Sequence, residues 1–220
     1  MKHDNCKEGG FLTDPEIENY AEMHTSPESD LLHDLNRQTN LQVLMPRMLS
    51  GHLQGAFLAM IVKMIQPSLI FEVGTFTGYA TLAMAEAMPE NCRIITIEKN
   101  RENAAMAHDF FVKGGYEEKI ELLIGDAMEF IENLQFDSEL VFIDADKRNN
   151  KKYYELILPK VKPGGFLLID NVLWDGKVLD AEPDKETRAI VDFNAHVQND
   201  SRVENVLLPL RDGILLVRKK

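Results

Sequence analysis

Asp144, Asp146, Lys147 and Arg148 fall within five positions, directly after the apolar run Val141-Phe142-Ile143. Charges at the tip of a buried strand either solubilise a loop or do chemistry. A second acidic tip, Asp170-Asn171, closes the apolar run FLLID at 166–170. If the two runs are adjacent strands, their ends lie roughly 5 Å apart. Two carboxylates and an amide then offer three hard oxygen ligands. That set suits Mg²⁺, with Ca²⁺ or Mn²⁺ as alternatives, and leaves positions for water or substrate. Without a cation, two carboxylates so close repel. Lys147 follows on the same loop. A like charge beside an ammonium favours the neutral amine, which can take a proton from a hydroxyl that a metal acidifies. The plainer readings are that Asp170-Asn171 caps a loop and that Lys147 is one surface lysine among Arg148, Lys151 and Lys152.

A second set of strand ends has the chemistry of a nucleoside site. The run LIFEV (69–73) leads into Gly74-Thr75-Phe76-Thr77-Gly78. Glycine there lets backbone approach a ligand, though a plain tight turn has the same composition. The spacing is G-x-x-x-G. It is neither the dinucleotide fingerprint nor a P-loop, so no phosphate cradle is expected. The next apolar run, RIITI (93–97), ends at Glu98, which could accept from both ribose hydroxyls or cap the following helix. The third, IELLI (120–124), ends in Gly125-Asp126-Ala127, whose backbone could meet an adenine edge. A nucleoside without a phosphate linker, such as S-adenosylmethionine, fits best.

These tips need a frame that brings them to one edge. Short β-rich runs alternate with helical stretches near 78–88, 100–113, 126–134 and 149–158. The alternation predicts right-handed βαβ units and a parallel sheet covered on both faces. A helix near 185–198 is followed by VENVLLPL (203–210) and GILLVRK (213–219), joined through Arg211-Asp212-Gly213. Asp-Gly predicts a tight hairpin. Ahead of the sheet the pattern is helical from Asp14 to Gln66. Asp14-Pro15-Glu16 and Ser26-Pro27-Glu28 both read as helix starts. A third helix is expected from about His52 to Ile65, with Phe57, Ile61 and Met64 on one face and Pro67 ending it. The expected fold class is α/β. Residues 1–220 form a single domain, with 1–66 as an N-terminal helical extension and 67–220 as a Rossmann-like core. Residues 1–13 read as frayed.

Bulk properties narrow the field. The chain has 220 residues, 45% apolar and 27% charged, enough for one substantial core. A formal charge of −12 disfavours phosphate backbones as partners. The two cysteines, Cys6 and Cys92, make no disulfide framework and suit a reducing cytoplasm. No apolar leader is visible at the N-terminus, and AFLAMIVKMI is too short to span a bilayer. A soluble cytoplasmic protein is expected.

The stretches E-V-G-T-F-T-G-Y, F-I-D-A-D-K, P-G-G-F-L-L-I-D-N-V-L-W-D-G and D-G-I-L-L-V-R-K resemble the cation-dependent O-methyltransferases of the catechol and caffeoyl-CoA type, which include many small bacterial members. The resemblance runs from about Met48 to the C-terminus. It implies a Rossmann-like class I methyltransferase fold with a seven-stranded, mostly parallel sheet and an antiparallel C-terminal hairpin, usually dimeric. It implies methyl transfer from S-adenosylmethionine to a metal-bound hydroxyl of a vicinal-diol aromatic. By matching position, Glu72, Gly74 and Thr75 would hold the methionine part of the cofactor. Glu98 would take the ribose, Ala127 the adenine, and Asp146, beside Asp144, the amino end. Asp144, Asp170 and Asn171 would bind the metal, with Lys147 as base. Met48 and Ser50 match the segment covering cofactor and substrate, and Trp174 and Asp175 the substrate wall. Ala80 stands where many members have a hydroxyl that bonds the cofactor carboxylate, so that contact is lost or moved. Leu53-Gln54-Gly55 replaces an acidic-Gly-Gln pattern of the plant-type enzymes, which implies a differently shaped entrance.

Three rivals are weighed. Some small relatives methylate a hydroxylated uridine in tRNA, for which the basic cluster Lys147, Arg148, Lys151 and Lys152 is the only local support. A non-catalytic cofactor-binding module needs none of Asp144, Lys147, Asp170 or Asn171. An NAD-dependent oxidoreductase needs the missing G-x-G-x-x-G.

Overall fold

A computed structural model describes residues 13–220, so Cys6 and nearly all of the segment read as frayed lie outside the described residues. The helices are α1 (Pro15–Met23), α2 (Asp30–Gln42), α3 (Gly51–Ile65), α4 (Tyr79–Ala85), α5 (Arg101–Lys113), α6 (Ala127–Asn133), α7 (Asn150–Ile157) and α8 (Lys185–Gln198). The strands are β1 (Leu69–Val73), β2 (Arg93–Glu98), β3 (Ile120–Ile124), β4 (Ser138–Ile143), β5 (Val161–Asp170), β6 (Val203–Leu208) and β7 (Ile214–Lys219). They form one seven-stranded sheet in the order β3-β2-β1-β4-β5-β7-β6. β1 to β5 run parallel; β7 pairs antiparallel with both β5 and β6. The order reverses between β1 and β4, so the crevice beyond their carboxyl ends is where such sheets bind ligands.

Side chains alternate faces along each strand. Leu69, Phe71 and Val73 pack with Tyr154, Ile157 and Phe193 of α7 and α8. Ile70, Ile94, Leu140, Phe142 and Leu168 pack with Leu58, Val62, Leu82 and Phe111 of α3, α4 and α5. The N-terminal helix α2 shares that second core through Leu32 and Leu35.

Four local expectations need correction. The second helix starts at Asp30, with Ser29 capping the Leu32 N–H at 3.2 Å, not at Ser26-Pro27. A hydroxyl placed to reach a free N–H decides the start. The α3 face turned to the core carries Gln54, Leu58 and Val62; Phe57 and Ile61 are half-buried and Met64 is 74% exposed. β5 begins at Val161, earlier than Phe166; its register with β4 shifts between Ser138↔Val161 and Leu140↔Phe166, and Gly164 (φ +81) lies in the irregular stretch. The β6–β7 connection is Pro209 to Gly213, wider than a two-residue turn, with Arg211 and Gly213 at φ 50 and 87. Among the described residues one helical stretch, Pro46–Ile65, is long and apolar enough to cross a membrane, at hydropathy 1.4. It exceeds AFLAMIVKMI because a 3₁₀ turn at Pro46–Met48 precedes α3. One face of it, through Gln54, Leu58 and Val62, is buried against the rest of the protein.

Candidate active site

The register Ile143↔Ile169 sets the next residues, Asp144 and Asp170, side by side. Phe142 and Leu168 face α3, and period two gives Asp144 and Asp170 the same face. Asp170 is only 4% exposed. Burial first, and then the charge of Asp144, push its pKa up to about 6. Asp170 Oδ1 accepts the backbone N–H of Asn171 at 2.7 Å. Asn171 holds φ 57, a left-handed conformation that asparagine tolerates. Lys147 Nζ donates to Asp144 Oδ1 at 2.8 Å, with the two side chains 11% and 21% exposed. All four line one cavity of about 1440 Å³.

The same cavity extends to the nucleoside-shaped strand ends, where Gly74, Glu98, Gly125 and Ala127 line it. Glu98 accepts the N–H of Phe76 at 2.7 Å and of Asn100 at 2.8 Å. Burial pushes its pKa up, against those bonds. Gly74 has φ +100, and a Cβ there would overlap the carbonyl of Asp144. Gly78 has φ +92, and its Cβ would meet Phe111 at 2.8 Å. Both glycines of the G-x-x-x-G are therefore demanded by the turn and its packing.

Met48, Asp146, Trp174 and Asp175 also line the cavity. Asp146 is held by Tyr153 and Asn149, each at 2.8 Å. Trp174, Asp175 and Gly176 all have positive φ, at 52, 51 and 74, in the wall segment. Four expected cofactor positions do not line the cavity. The Glu72 side chain points between the sheet and α4, where its Oε2 accepts from Thr81 and, at 2.5 Å, from Thr96. It is fully buried, its Oε1 has no partner, and burial pushes its pKa up to about 7. Thr75 bonds Thr96 at 2.6 Å. Ala80 is buried in the α4 core, and Ser50 is buried with its carbonyl facing Arg211.

Gln54, Arg211 and Asp212 also line the cavity, with no site role expected of them from the sequence. Gln54 bonds Asp170 at 2.8 Å. Asp212 accepts the Asp175 N–H at 2.6 Å and lies against the Asn171 side chain. The resemblance places Leu53-Gln54-Gly55 at the entrance without a partner for Gln54; a lone glutamine inside the apolar run of 53–65 is the further signal that marks it. A separate cluster, Glu155 of α7, His196 of α8 and Asp200 just beyond it, has ligand atoms within 4.8 Å of one another. Arg202 already bonds both of its carboxylates, at 3.0 and 2.6 Å.

Known proteins are similar to this chain in sequence and fold. The family model described as O-methyltransferase matches residues 22–220. Caffeoyl-CoA O-methyltransferase 1 of Nicotiana tabacum is 35% identical over 180 residues, covering 76% of this chain and 75% of the relative. Caffeoyl-CoA O-methyltransferase 2 of Populus trichocarpa is 37% identical, covering 76% and 72%. Among solved structures, the O-methyltransferase of Bacillus cereus in complex with SAH superposes with TM-score 0.84 at 27% identity, over 93% of this chain and 97% of that one. The SAH-bound methyltransferase of Podospora anserina gives 0.87 at 25%, over 93% and 94%. With a matching family model over nearly the whole chain, and a cavity joining a nucleoside-shaped end to a carboxylate-lysine mouth, this chain belongs to the O-methyltransferase family and is an S-adenosylmethionine-dependent O-methyltransferase.

Proposed function

We propose that the acceptor is a catechol-like small molecule, a vicinal dihydroxy aromatic, and that a divalent cation, Mg²⁺ first, is held by Asp144, Asp170 and Asn171. The observation that carries this reading is the convergence of those three oxygen donors with Lys147 at one mouth of the cavity. The residues fit a cation. Asp170 is buried beside a second carboxylate, and the Asn171 amide adjoins it, a hard-oxygen donor set of the kind divalent cations take. When bound, the cation would lower the pKa of a coordinated hydroxyl. Lys147, already at the cavity mouth, is the group placed to take that proton. Glu98, Gly74 and Ala127 would hold the nucleoside and methionine ends of the cofactor, with Asp146 beside them. Glu72 and Thr75 would support that turn from below, and Ser50 and Ala80 through backbone position. Met48, Trp174 and Asp175 would bound the aromatic ring. Much of the rate would come from holding sulfonium methyl and oxygen in line.

The test is methyl transfer to 3,4-dihydroxybenzoate and to caffeoyl-CoA, the substrate named in the plant relatives, before and after EDTA treatment. Loss of transfer with EDTA and recovery with Mg²⁺ is expected. Lys147→Ala should slow transfer by roughly 10²–10⁴. An undiminished rate after complete metal removal would sink the mechanism.

The tRNA alternative loses part of its basic cluster, since Arg148 is paired with Glu186. Salt-sensitive tRNA binding would restore it. The reading includes a homodimer, supported by Met60 and Met64 standing 56% and 74% exposed on α3. Light scattering at micromolar concentration decides it. A reducing cytoplasm is part of the same reading, consistent with Cys92 as a buried free thiol.

A further inference from the structure

Gln54 is only 1% exposed on the buried face of α3, where an apolar side chain is the default. Both ends of its amide are engaged. Nε2 donates to Oδ2 of Asp170 at 2.8 Å, and Oε1 accepts from Nη1 of Arg211 at 3.2 Å. The amide fits only this way round. A guanidinium offers donors alone, so the amide oxygen must face it; a carboxylate offers acceptors, so the amide nitrogen must face that. The same Arg211 nitrogen donates to the backbone carbonyl of Leu49, at 3.0 Å, and to that of Ser50. These carbonyls directly follow the turn Pro46–Met48, which lines the cavity. A continuous line of hydrogen bonds thus runs from the segment over the cavity, through Arg211 and Gln54, to Asp170. With Oδ1 held by the Asn171 N–H and Oδ2 by Gln54, the Asp170 carboxylate cannot rotate freely. Outer partners of this kind orient a ligand toward its ion. The fixed charge of Arg211 polarises the amide and strengthens its donor end.

We infer that Gln54 and Arg211 are positioning residues that couple cation binding at Asp170 to cofactor binding under residues 46–50. This rests on the proposed role of Asp144, Asp170 and Asn171 as cation ligands. A cation that fixes Asp170 also fixes Gln54 and Arg211, and so the backbone over the cofactor. The cofactor, ordering that backbone, prepares Asp170 in return. Such coupling is reciprocal by thermodynamic necessity.

The test needs no turnover. Mn²⁺ binding is followed by the paramagnetic signal of the free ion, with and without S-adenosylhomocysteine. S-adenosylhomocysteine binding is measured by calorimetry, with and without Mn²⁺. In the wild type each ligand should tighten the other by at least about 5-fold. Gln54→Met and Arg211→Met should weaken Mn²⁺ by about 10-fold and bring the mutual effect close to one. Arg211→Lys should recover part of both. Should Gln54→Met fail to fold, as far-UV circular dichroism would show, the Arg211 pair carries the test. Met variants with lowered melting temperature but wild-type Mn²⁺ affinity and coupling would overturn the relay. A wild type that binds Mn²⁺ without coupling overturns the relay and spares the cation site. A wild type that binds no Mn²⁺ overturns both.

Discussion

The protonation of Glu72 is set first by its burial on β1, with the charges of Asp144 and Glu98 at the ligand end of the sheet adding less. Period two turns it under α4, where desolvation outweighs the hydroxyls of Thr81 and Thr96 and raises its pKa to about 7. The folded chain therefore holds this proton more tightly than the unfolded chain does. Its contribution to stability is full below the ordinary glutamate range and is lost as pH rises through about 7. Glu72→Gln has no such proton to lose. Between pH 5 and pH 8 the wild type should lose stability relative to Glu72→Gln, on the order of 3 kcal/mol. Paired thermal melts without cofactor or cation check this; parallel pH curves would refute it. The same residue marks where sequence reading stops. Asp144, Lys147, Asp170 and Asn171 were legible because each ends or follows an apolar run. Gln54 and Arg211 were not, since their partners lie 116 and 157 residues away and only the folded register brings them together.

At the scale of elements, the turn after β1 carries a demand that no other residue type meets. Gly74 combines φ +100 with a Cβ position occupied by the carbonyl of Asp144. Gly74→Ala should cost about 3 kcal/mol or more, seen as a lower denaturation midpoint in urea with an unchanged slope. Ser29→Ala, which removes the α2 cap and the bond to Glu86 at 2.6 Å, should cost only about 1 kcal/mol. A Gly74→Ala loss no greater than the Ser29→Ala loss would show that the strand end can shift. The succession of element types was readable from alternating β-rich and helical runs, whereas the strand order was not. Nor was the orientation of α3. GHLQGAFLAMIVKMI is apolar on nearly every side, so periodicity has little contrast with which to choose a face.

For the whole molecule, a formal charge of −12 and a carboxylate mouth respond to ions in two separable ways. Screening by NaCl acts on the whole surface. A cation bound at one site stabilises by mass action, about 2.7 kcal/mol at a hundredfold excess over its Kd. Mg²⁺ at constant ionic strength should therefore raise the melting temperature of the wild type and leave Asp170→Asn unmoved, while NaCl shifts both alike. Equal Mg²⁺ responses would remove Asp170 from the site.

The strand order has a further consequence, for how the molecule is made. β6 pairs with β7 alone, and β7 fills the place beside β5. During synthesis β6 emerges before it has a partner, and the β5 edge stays open until residues 214–219 arrive. Arg211 and Asp212, just ahead of that strand, reach the site only when it docks. The strand ends that line the nucleoside side of the cavity, from Gly74 to Ala127, are thus translated well before Arg211 and Asp212, which line its mouth. Until β7 arrives, the β5 edge is open to pairing with another chain.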